Sequence, residues 1–439
     1  MFISKRFAPQ ESTTRFSRPS HVTVHDSVPT APAAEARVDL AHSGSTPTLG
    51  RLRLVLALGA LAVGSFAIGT TEFVSMGLLP QLAAGVDVSI PTAGHVISLY
   101  ALGVVVGAPV LSVLGARMPR RTLLLLLMGV FLFGNLATAL AQSYPQLLAA
   151  RFVAGLPHGA YFGIASIVAA DLVSPARRGQ AVSLVMTGLS VATVVGVPAA
   201  TWLGQGIGWR SAYWLVAALA LMTLVLVASL VPFLPGDKTV SRTGELAALK
   251  RPQVLLALAA GAIGFGGMFA LYTYIAPTVT DVAGLSEGMV PVYLLAFGLG
   301  SLLGTPLAGR LADWSVMRTM LIGSAAMGLG LVAFTVTAQW FIPGLITAFL
   351  IPIAGSLLVI SLQMRLMAVA GKARALGAAL NHSALNTANA LGAWLGGLVI
   401  AAGFGYTATS WVGAGLSLAG FGILLVSAAL ERRSPTVVD

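Results

Sequence analysis

The sequence predicts an all-α membrane protein with twelve transmembrane helices in two pseudo-symmetric six-helix bundles. Of its 439 residues, 57% are hydrophobic and only 9% are charged, whereas soluble domains carry about 25% charged residues. The mean hydropathy is +0.90. The apolar runs are about 20 residues long, which is the length of a helix that crosses a hydrocarbon core of about 30 Å. Strands of a membrane barrel would be about half as long and would alternate in polarity.

The apolar runs can be counted along the chain as twelve segments. They lie near 54–79, 91–115, 122–141, 146–170, 180–205, 211–232, 253–278, 289–312, 319–338, 340–367, 375–402 and 406–430. The domains predicted from this count are a disordered N-terminal tail, a six-helix bundle, a cytoplasmic central loop, a second bundle and a C-terminal tail, at 1–50, 51–232, 233–252, 253–432 and 433–439. An upstream mis-assigned start codon is the alternative explanation of the tail.

The basic residues predict the orientation in the membrane. Loops on one side hold nearly all of the Lys and Arg residues near the segment ends, among them Arg51, Arg120, Arg121, Arg178, Lys250, Arg251 and Arg432. The opposite loops hold Arg210 and the acids Asp87, Asp281 and Glu287. By the positive-inside rule, both termini and the central loop are expected in the cytoplasm of a cell-membrane protein. Topology accounts for the net charge of +11, so we expect no nucleic-acid partner.

The two halves of the chain repeat at a constant offset of 197 residues. This offset carries Pro80 to Pro277, Gly107 to Gly304 and Arg121-Thr122 to Arg318-Thr319. Small residues also recur every four positions in segments 2, 5, 8 and 11, which places them on one face of each helix. Two interpretations stay open for these stripes: static helix packing, or a smooth interface along which the two halves rock.

Three stretches carry a family resemblance. They are "TTEFVSMGLLP" at 70–80, "ARMPRR" at 116–121 and "GVPAATWLGQGIGWRSAYW" at 196–214. Together they resemble the major facilitator superfamily, and within it the twelve-span drug/proton antiporter branch with its bacterial chloramphenicol-resistance and sugar-efflux exporters. The resemblance implies the fold of that superfamily and transport of a small molecule coupled to protons.

The resemblance also implies gating residues. The family's loop motif falls on 112–121, but its usual aspartate is Ala116, so a latch there would need another pair such as Arg117 with Asp171. The alternative is plain anchoring of the loop by its positive charges. The second copy of the motif and the antiporter motif of segment 5 supply the other expected gating residues, Gly309, Asp313, Arg318, Gly188, Gly196 and Pro198.

Two opposite charges are expected at similar depth in the first half. Glu72 lies eight residues before Pro80, about 12 Å into the helix. Arg151, the basic residue of the family motif in segment 4, lies six residues after Pro145, about 9 Å in. Burial disfavours the charged carboxylate and a nearby arginine favours it, so Glu72 could load and release a proton. The alternative is a fixed Glu72–Arg151 pair that only holds two helices together.

Other polar residues inside the segments are candidates for the substrate cavity. They are His158, Tyr161, Tyr272, Tyr274, Asn381, Asn386 and Asn389. The histidine and the asparagines could instead form hydrogen bonds between helices, and the tyrosines could instead be interfacial anchors.

The leading hypothesis is a proton-driven exporter of a small amphipathic molecule, such as an antibiotic or a sugar. A proton symporter that imports a metabolite is the alternative within transport. An intramembrane enzyme is disfavoured because the sequence has no H-E-x-x-H or G-x-S-x-G motif, and a receptor is disfavoured because the polar segments are short. The chain has no cysteine, and we expect no metal and no cofactor. The expected partners are the substrate, protons and the lipid bilayer, with the protein acting as a monomer.

Overall fold

Backbone polar groups find no water in a bilayer core, so segments of this length and composition should form helices that satisfy those groups internally. The computed structural model describes residues 50–115, 117–235, 250–370 and 374–433. Over these residues, twelve helices are long and apolar enough to cross a membrane. In chain order, spans 1 to 12 are Arg51–Gly77, Ile90–Leu111, Arg120–Leu140, Tyr144–Asp171, Arg178–Ile207, Arg210–Leu230, Pro252–Thr273, Glu287–Trp314, Val316–Thr337, Phe341–Val369, Leu380–Ala401 and Ala408–Arg432.

The helix contacts repeat between the two halves of the chain. In the first half, span 1 packs against spans 5 and 6, span 2 against span 4, and span 3 against spans 4 and 6. Adding six to each number gives the contacts of the second half, where span 7 packs against spans 11 and 12, span 8 against span 10, and span 9 against spans 10 and 12. The halves meet where span 2 packs on span 11 and span 5 packs on span 8. The predicted fold of two pseudo-symmetric six-helix bundles is confirmed.

Several predicted features fall on residues that the structure does not describe. The tail before Gly50, the central loop at 236–249, Ala116 and the C-terminal residues 434–439 lie outside the described ranges. The domain boundaries therefore stay predictions.

Three spans are irregular near their middle. Span 4 is two helices, Tyr144–Gly155 and His158–Asp171, separated at Leu156 and Pro157. Span 5 contains a π-helical turn at Ala192–Gly196 directly before Pro198. Proline cannot donate a backbone hydrogen bond, and the wider turn accommodates that gap. Span 7 has a corresponding π turn at Ala260–Gly264.

The stripes of small residues lie inside each bundle. A Cβ atom at Gly188 of span 5 would meet the backbone oxygen of Ala62 in span 1, and one at Gly392 of span 11 would meet the backbone oxygen of Gly266 in span 7. The stripes of spans 2 and 8 face spans 4 and 10 in the same way, at Gly103 and Gly300. The hypothesis that these stripes form the interface between the halves is wrong, because a missing side chain here lets helices of one bundle approach closely.

The two ends of the bundles differ in charge and in contacts. We call the end with Asp87, Asp281 and Glu287 the acidic end, and the opposite end, with Arg51 and Arg178, the basic end. At the acidic end, Gln81 Nε2 donates to the Glu287 carboxylate at 2.9 Å, and Gln205 Nε2 donates to its backbone oxygen at 3.0 Å. Of the side-chain hydrogen bonds between described residues, the only other one that joins the bundles runs from Ser98 Oγ to the Ala390 oxygen, at 3.2 Å. These bonds therefore hold the bundles together toward the acidic end.

Candidate functional site

Span 1 and the interrupted span 4 bring the candidate ionisable residues together. Glu72 lies in unbroken helix and is 7% exposed, while Arg151 and His158 lie on the two sides of the span 4 break and are 0% and 2% exposed. The break lies between Arg151 and His158, and both side chains reach span 1, at Thr71 and Glu72. The sequence predicted the depth of these residues but not this interruption.

Arg151 is held by neutral groups of three other spans. Its Nη1 donates to Thr71 Oγ1 and its Nη2 to the Thr71 backbone oxygen, each at 3.0 Å. Thr71 Oγ1 in turn donates to Asn135 Oδ1 of span 3 at 2.6 Å. The guanidinium also lies 4.3 Å from the ring centre of Tyr100 in span 2, which is a cation–π contact. Arg151 therefore ties spans 1, 2, 3 and 4 together.

The basic side chain within 4.0 Å of the Glu72 carboxylate is His158, not Arg151. Glu72 Oε2 lies 3.9 Å from His158 Nε2, and no nitrogen of Arg151 lies within 4.0 Å of the carboxylate. The structure therefore does not contain the fixed Glu72–Arg151 pair that was the alternative to proton coupling, and the coupling role of the two residues stays a prediction. Consecutive helical residues point about 100° apart, so an arginine that binds Thr71 lies beside the carboxylate of Glu72 and does not meet it.

A tyrosine and a ring stack continue the site from His158. The His158 Nδ1 atom lies 3.0 Å from the Tyr100 hydroxyl, within hydrogen-bond distance. The His158 ring also packs on Phe162, with ring centres 5.2 Å apart. Phe162 then stacks on His382 of span 11 at 5.9 Å with an angle of 5° between the rings. The site thus extends from Glu72 in the first bundle to a histidine of the second.

A second group of rings crosses between the bundles next to Glu72. Phe73 lies 6.4 Å from Phe269 and 5.9 Å from Tyr272, measured between ring centres, and Tyr272 lies 4.6 Å from Phe297. Of the three predicted cavity tyrosines, Tyr272 therefore lies at the interface between the bundles. Its neighbours give that interface an aromatic surface beside a carboxyl group.

The other two predicted cavity tyrosines serve helix packing. The Tyr161 hydroxyl donates to the Leu61 oxygen at 2.9 Å, and the Tyr274 hydroxyl donates to the Ala393 oxygen at 2.8 Å. Both side chains are fully buried. Both hydroxyls therefore form hydrogen bonds between helices, and the assignment of these residues to the substrate cavity stays a prediction.

The predicted asparagines of span 11 are buried with amide atoms left unpaired. Asn386 Nδ2 donates to the His382 oxygen of its own helix at 3.0 Å. Among the described residues, no partner is found for the side-chain oxygens of Asn381 and Asn386 or for either amide atom of Asn389. Buried amide groups without partners are costly, so these positions could bind polar groups of a ligand.

The predicted gating residues of the loops make no ion pair with one another. Arg117 and Asp171 are both exposed, and the structure does not bring them together. Arg318 lies over the ring of Trp314, 5.0 Å from its centre, and the exposed Asp313 has no cation within 4.0 Å in the described ranges. A Cβ at Gly309 would meet nothing within 4 Å. The contacts of this conformation therefore do not include the expected latches.

Sequence analysis missed Thr71, Tyr100 and Asn135. Asn135 sits in the apolar stretch "FLFGNLATAL", where its polarity was a usable signal, and it is 0% exposed. Thr71 and Tyr100 gave no such signal, because threonine and tyrosine are common in apolar helices. Only the packing shows that these two residues complete the site.

The comparisons with known proteins agree with this architecture. The family model described as Major Facilitator Superfamily matches residues 61–314. The chain is 41% identical over 397 residues to the inner membrane transport protein YdhP of Escherichia coli (strain K12), covering 88% of this chain and 99% of that protein. It is 36% identical over 358 residues to the chloramphenicol resistance protein of Streptomyces lividans, covering 80% and 90%.

A solved structure supports the fold independently. The crystal structure of a D-xylose-proton symporter matches with a TM-score of 0.68 at 18% identity, over 84% of this chain and 97% of that one. The resemblance inferred from the motifs is confirmed, and the protein is a multi-pass membrane transporter. The chain belongs to the Major Facilitator Superfamily.

Proposed function

We propose that this protein is a proton-coupled transporter that exports a small amphipathic molecule, either an antibiotic such as chloramphenicol or a sugar. The observation that carries the proposal is the buried carboxyl group of Glu72 between spans 1 and 4. A charged residue at the centre of a spanning helix costs about 2.5–3.5 kcal/mol on insertion scales, and such residues commonly belong to ion pathways. The similarity to a chloramphenicol resistance protein supports export of a drug.

Glu72 carries the proton, and Arg151 is a fixed positive charge nearby. Two nitrogens of Arg151 donate to Thr71, while Glu72 accepts no hydrogen bond of 3.5 Å or less from the described residues. A carboxyl group without a fixed donor can take up and release a proton without breaking the packing. This contrast supports coupling by Glu72 over a purely structural ion pair.

Transport proceeds by alternating access between the two bundles. The side-chain hydrogen bonds of Glu287 with Gln81 and Gln205 close the acidic end. With the basic end in the cytoplasm, this conformation is closed to the outside and receives substrate from within. A contact between Arg117 and Asp171 stays a prediction for the opposite conformation. Both bundles belong to one chain, so a monomer suffices for transport.

The second candidate function is proton symport into the cell. The fold shared with a D-xylose-proton symporter favours it, because the same architecture serves proton symport there. Everted vesicles with an acidic interior separate the two functions. An antiporter accumulates substrate in such vesicles as protons leave, whereas a symporter drives substrate out together with protons.

The decisive experiment is Glu72→Gln, assayed with chloramphenicol as the first probe. Glutamine keeps the size of the side chain but does not titrate, so the variant should bind the probe yet lose uphill transport. The transmembrane potential supplies about 2.3 kcal/mol per charge per 100 mV. Without a proton carried at residue 72, this energy would not drive substrate transport. Asp87→Asn is the matched control, because it removes an exposed carboxylate outside the site and should transport normally.

Uphill transport by Glu72→Gln at the wild-type rate would refute the proposal. If wild type does not transport chloramphenicol, a resistance screen across antibiotic classes and a sugar-uptake screen, each with and without a protonophore, supply the probe. Protonophore-insensitive export would also contradict proton coupling.

A further inference from the structure

We propose that Glu72 exchanges its proton with His158, and that Tyr100 positions the imidazole for this exchange. The inference rests on the proposed function, because it names the group with which the transported proton is shared. It replaces the expected partner Arg151 by a residue that can itself gain and lose a proton.

The geometry singles out His158 as the partner. His158 Nε2 lies 3.9 Å from Glu72 Oε2, and the opposite ring nitrogen lies 3.0 Å from the Tyr100 hydroxyl. When Nδ1 carries the proton and donates it to the Tyr100 oxygen, Nε2 has a free lone pair directed at Glu72. In this tautomer Nε2 can accept a proton from the carboxyl group, and the Tyr100 hydroxyl, which can donate or accept, holds the other ring nitrogen.

The proposed step moves one proton and no other atom. The O–H bond of protonated Glu72 breaks and an N–H bond forms at His158 Nε2, which leaves a carboxylate and an imidazolium. The reverse step restores the neutral pair. Direct transfer needs a heavy-atom distance of about 2.6–3.2 Å or one bridging water, so the groups must approach by roughly 1 Å or share a water molecule.

The break in span 4 can link this step to movement. His158 is the first residue of the helix His158–Asp171, and the partial positive charge of a helix N-terminus disfavours a cation there. The imidazolium therefore persists only while the Glu72 carboxylate stays beside it. A displacement of span 1 relative to this helix would return the proton to the carboxyl group or release it.

Other titratable and charged groups also lie near His158. Arg151 and Tyr100 meet in the cation–π contact, and Tyr213 of span 6 also lies near Arg151, with its ring centre 5.4 Å from the guanidinium carbon. His382 of span 11 reaches the site through the stacked ring of Phe162. Of the described cationic groups, His158 is the one within 4.0 Å of the carboxylate.

Infrared spectroscopy of the full chain in liposomes tests the inference without a substrate. The C=O band of protonated Glu72 is assigned by its loss in Glu72→Gln and followed against pH. Two strongly coupled groups titrate in two macroscopic steps, so the band should change in two steps in wild type. In His158→Gln, which places an amide near the Nε2 position but does not titrate, it should change in one step.

A matched histidine serves as the control. His95 Nδ1 lies 2.9 Å from the Tyr144 hydroxyl near the acidic end, so His95→Gln removes a similar histidine–tyrosine contact away from Glu72. This control should keep the two-step titration. If His158→Gln does not fold, Tyr100→Phe keeps the ring under Arg151 but removes the hydroxyl. Tyr100→Phe should then shift the midpoint pH of at least one titration step by about one unit.

Several outcomes would overturn the inference. Two steps that persist in His158→Gln would do so, as would unchanged steps in Tyr100→Phe. A single step in Arg151→Gln, with both steps kept in His158→Gln, would show that the fixed charge of Arg151, and not proton exchange with His158, shapes the titration of Glu72. These results leave the proposed function intact if Glu72→Gln still abolishes uphill transport, so the two failures are distinguishable.

Discussion

Gly298 of span 8 lies at a close contact between the two bundles, and we predict that Gly298→Ala shifts the conformational equilibrium. A Cβ at this position would lie 2.5 Å from the backbone oxygen of Thr193 and 3.0 Å from the Cα of Val194, both in span 5. Carbon–oxygen contacts between packed helices are normally about 3.3–3.6 Å. The bundles must therefore separate by about 1 Å at this crossing, because backbone atoms cannot rotate away.

The size of the effect follows from the cost of that clash. One extra methyl group in a well-packed interior costs about 1–3 kcal/mol. At about 1.4 kcal/mol for each factor of ten, the equilibrium between this conformation and one with separated bundles should shift about 5–150-fold. The clash joins two bundles, so each bundle should stay folded and the change should appear in their relative position.

Spin-label distances measure this shift directly. The chain has no cysteine, so labels on Ala84→Cys and Ser286→Cys, two exposed positions at the acidic end, have no competing site. The population with the short distance should fall in Gly298→Ala. It should not change in Gly129→Ala, a variant of span 3 where an added Cβ meets nothing within 4 Å. A population ratio within twofold of that control, at normal expression, would refute the reasoning.

Two other predictions concern packing and topology. Gly196→Leu should lower the free energy of unfolding of the purified protein by at least about 1–3 kcal/mol, and with it the melting temperature. The reason is that an added Cβ lies 2.9 Å from the ring of Phe66 in span 1. Gly206→Leu, which meets nothing within 4 Å, is its control, and equal melting of the two variants would contradict the described contact. A reporter fused after Asp439 should be cytoplasmic and one near Asp87 should be outside. The reverse result would overturn the orientation.

The candidate site was only partly predictable, and the reason is geometric. Helical rise gives the depth of each residue from sequence, which placed Glu72 and Arg151 at similar levels. Depth does not give direction around the helix axis, so the sequence could not show that Arg151 binds Thr71 while Glu72 faces His158. Tyr100 lies on another span, and its approach to both groups depends on how that span packs.

The sequence by itself determined the membrane fold. Segment length and composition define twelve spans because a bilayer requires long apolar helices whatever their neighbours are. The offset of 197 residues likewise revealed two related halves, since duplication leaves its record in residue order.

The tertiary structure determined which residues of different helices contact one another. It placed the small-residue stripes inside each bundle and gave Glu72 a histidine neighbour 3.9 Å away. It also joined the bundles at the acidic end through Gln81 and Glu287. Each of these results depends on which faces of distant helices meet. Many helix rotations bury the same apolar surface, so only close packing and hydrogen bonding between spans select one of them.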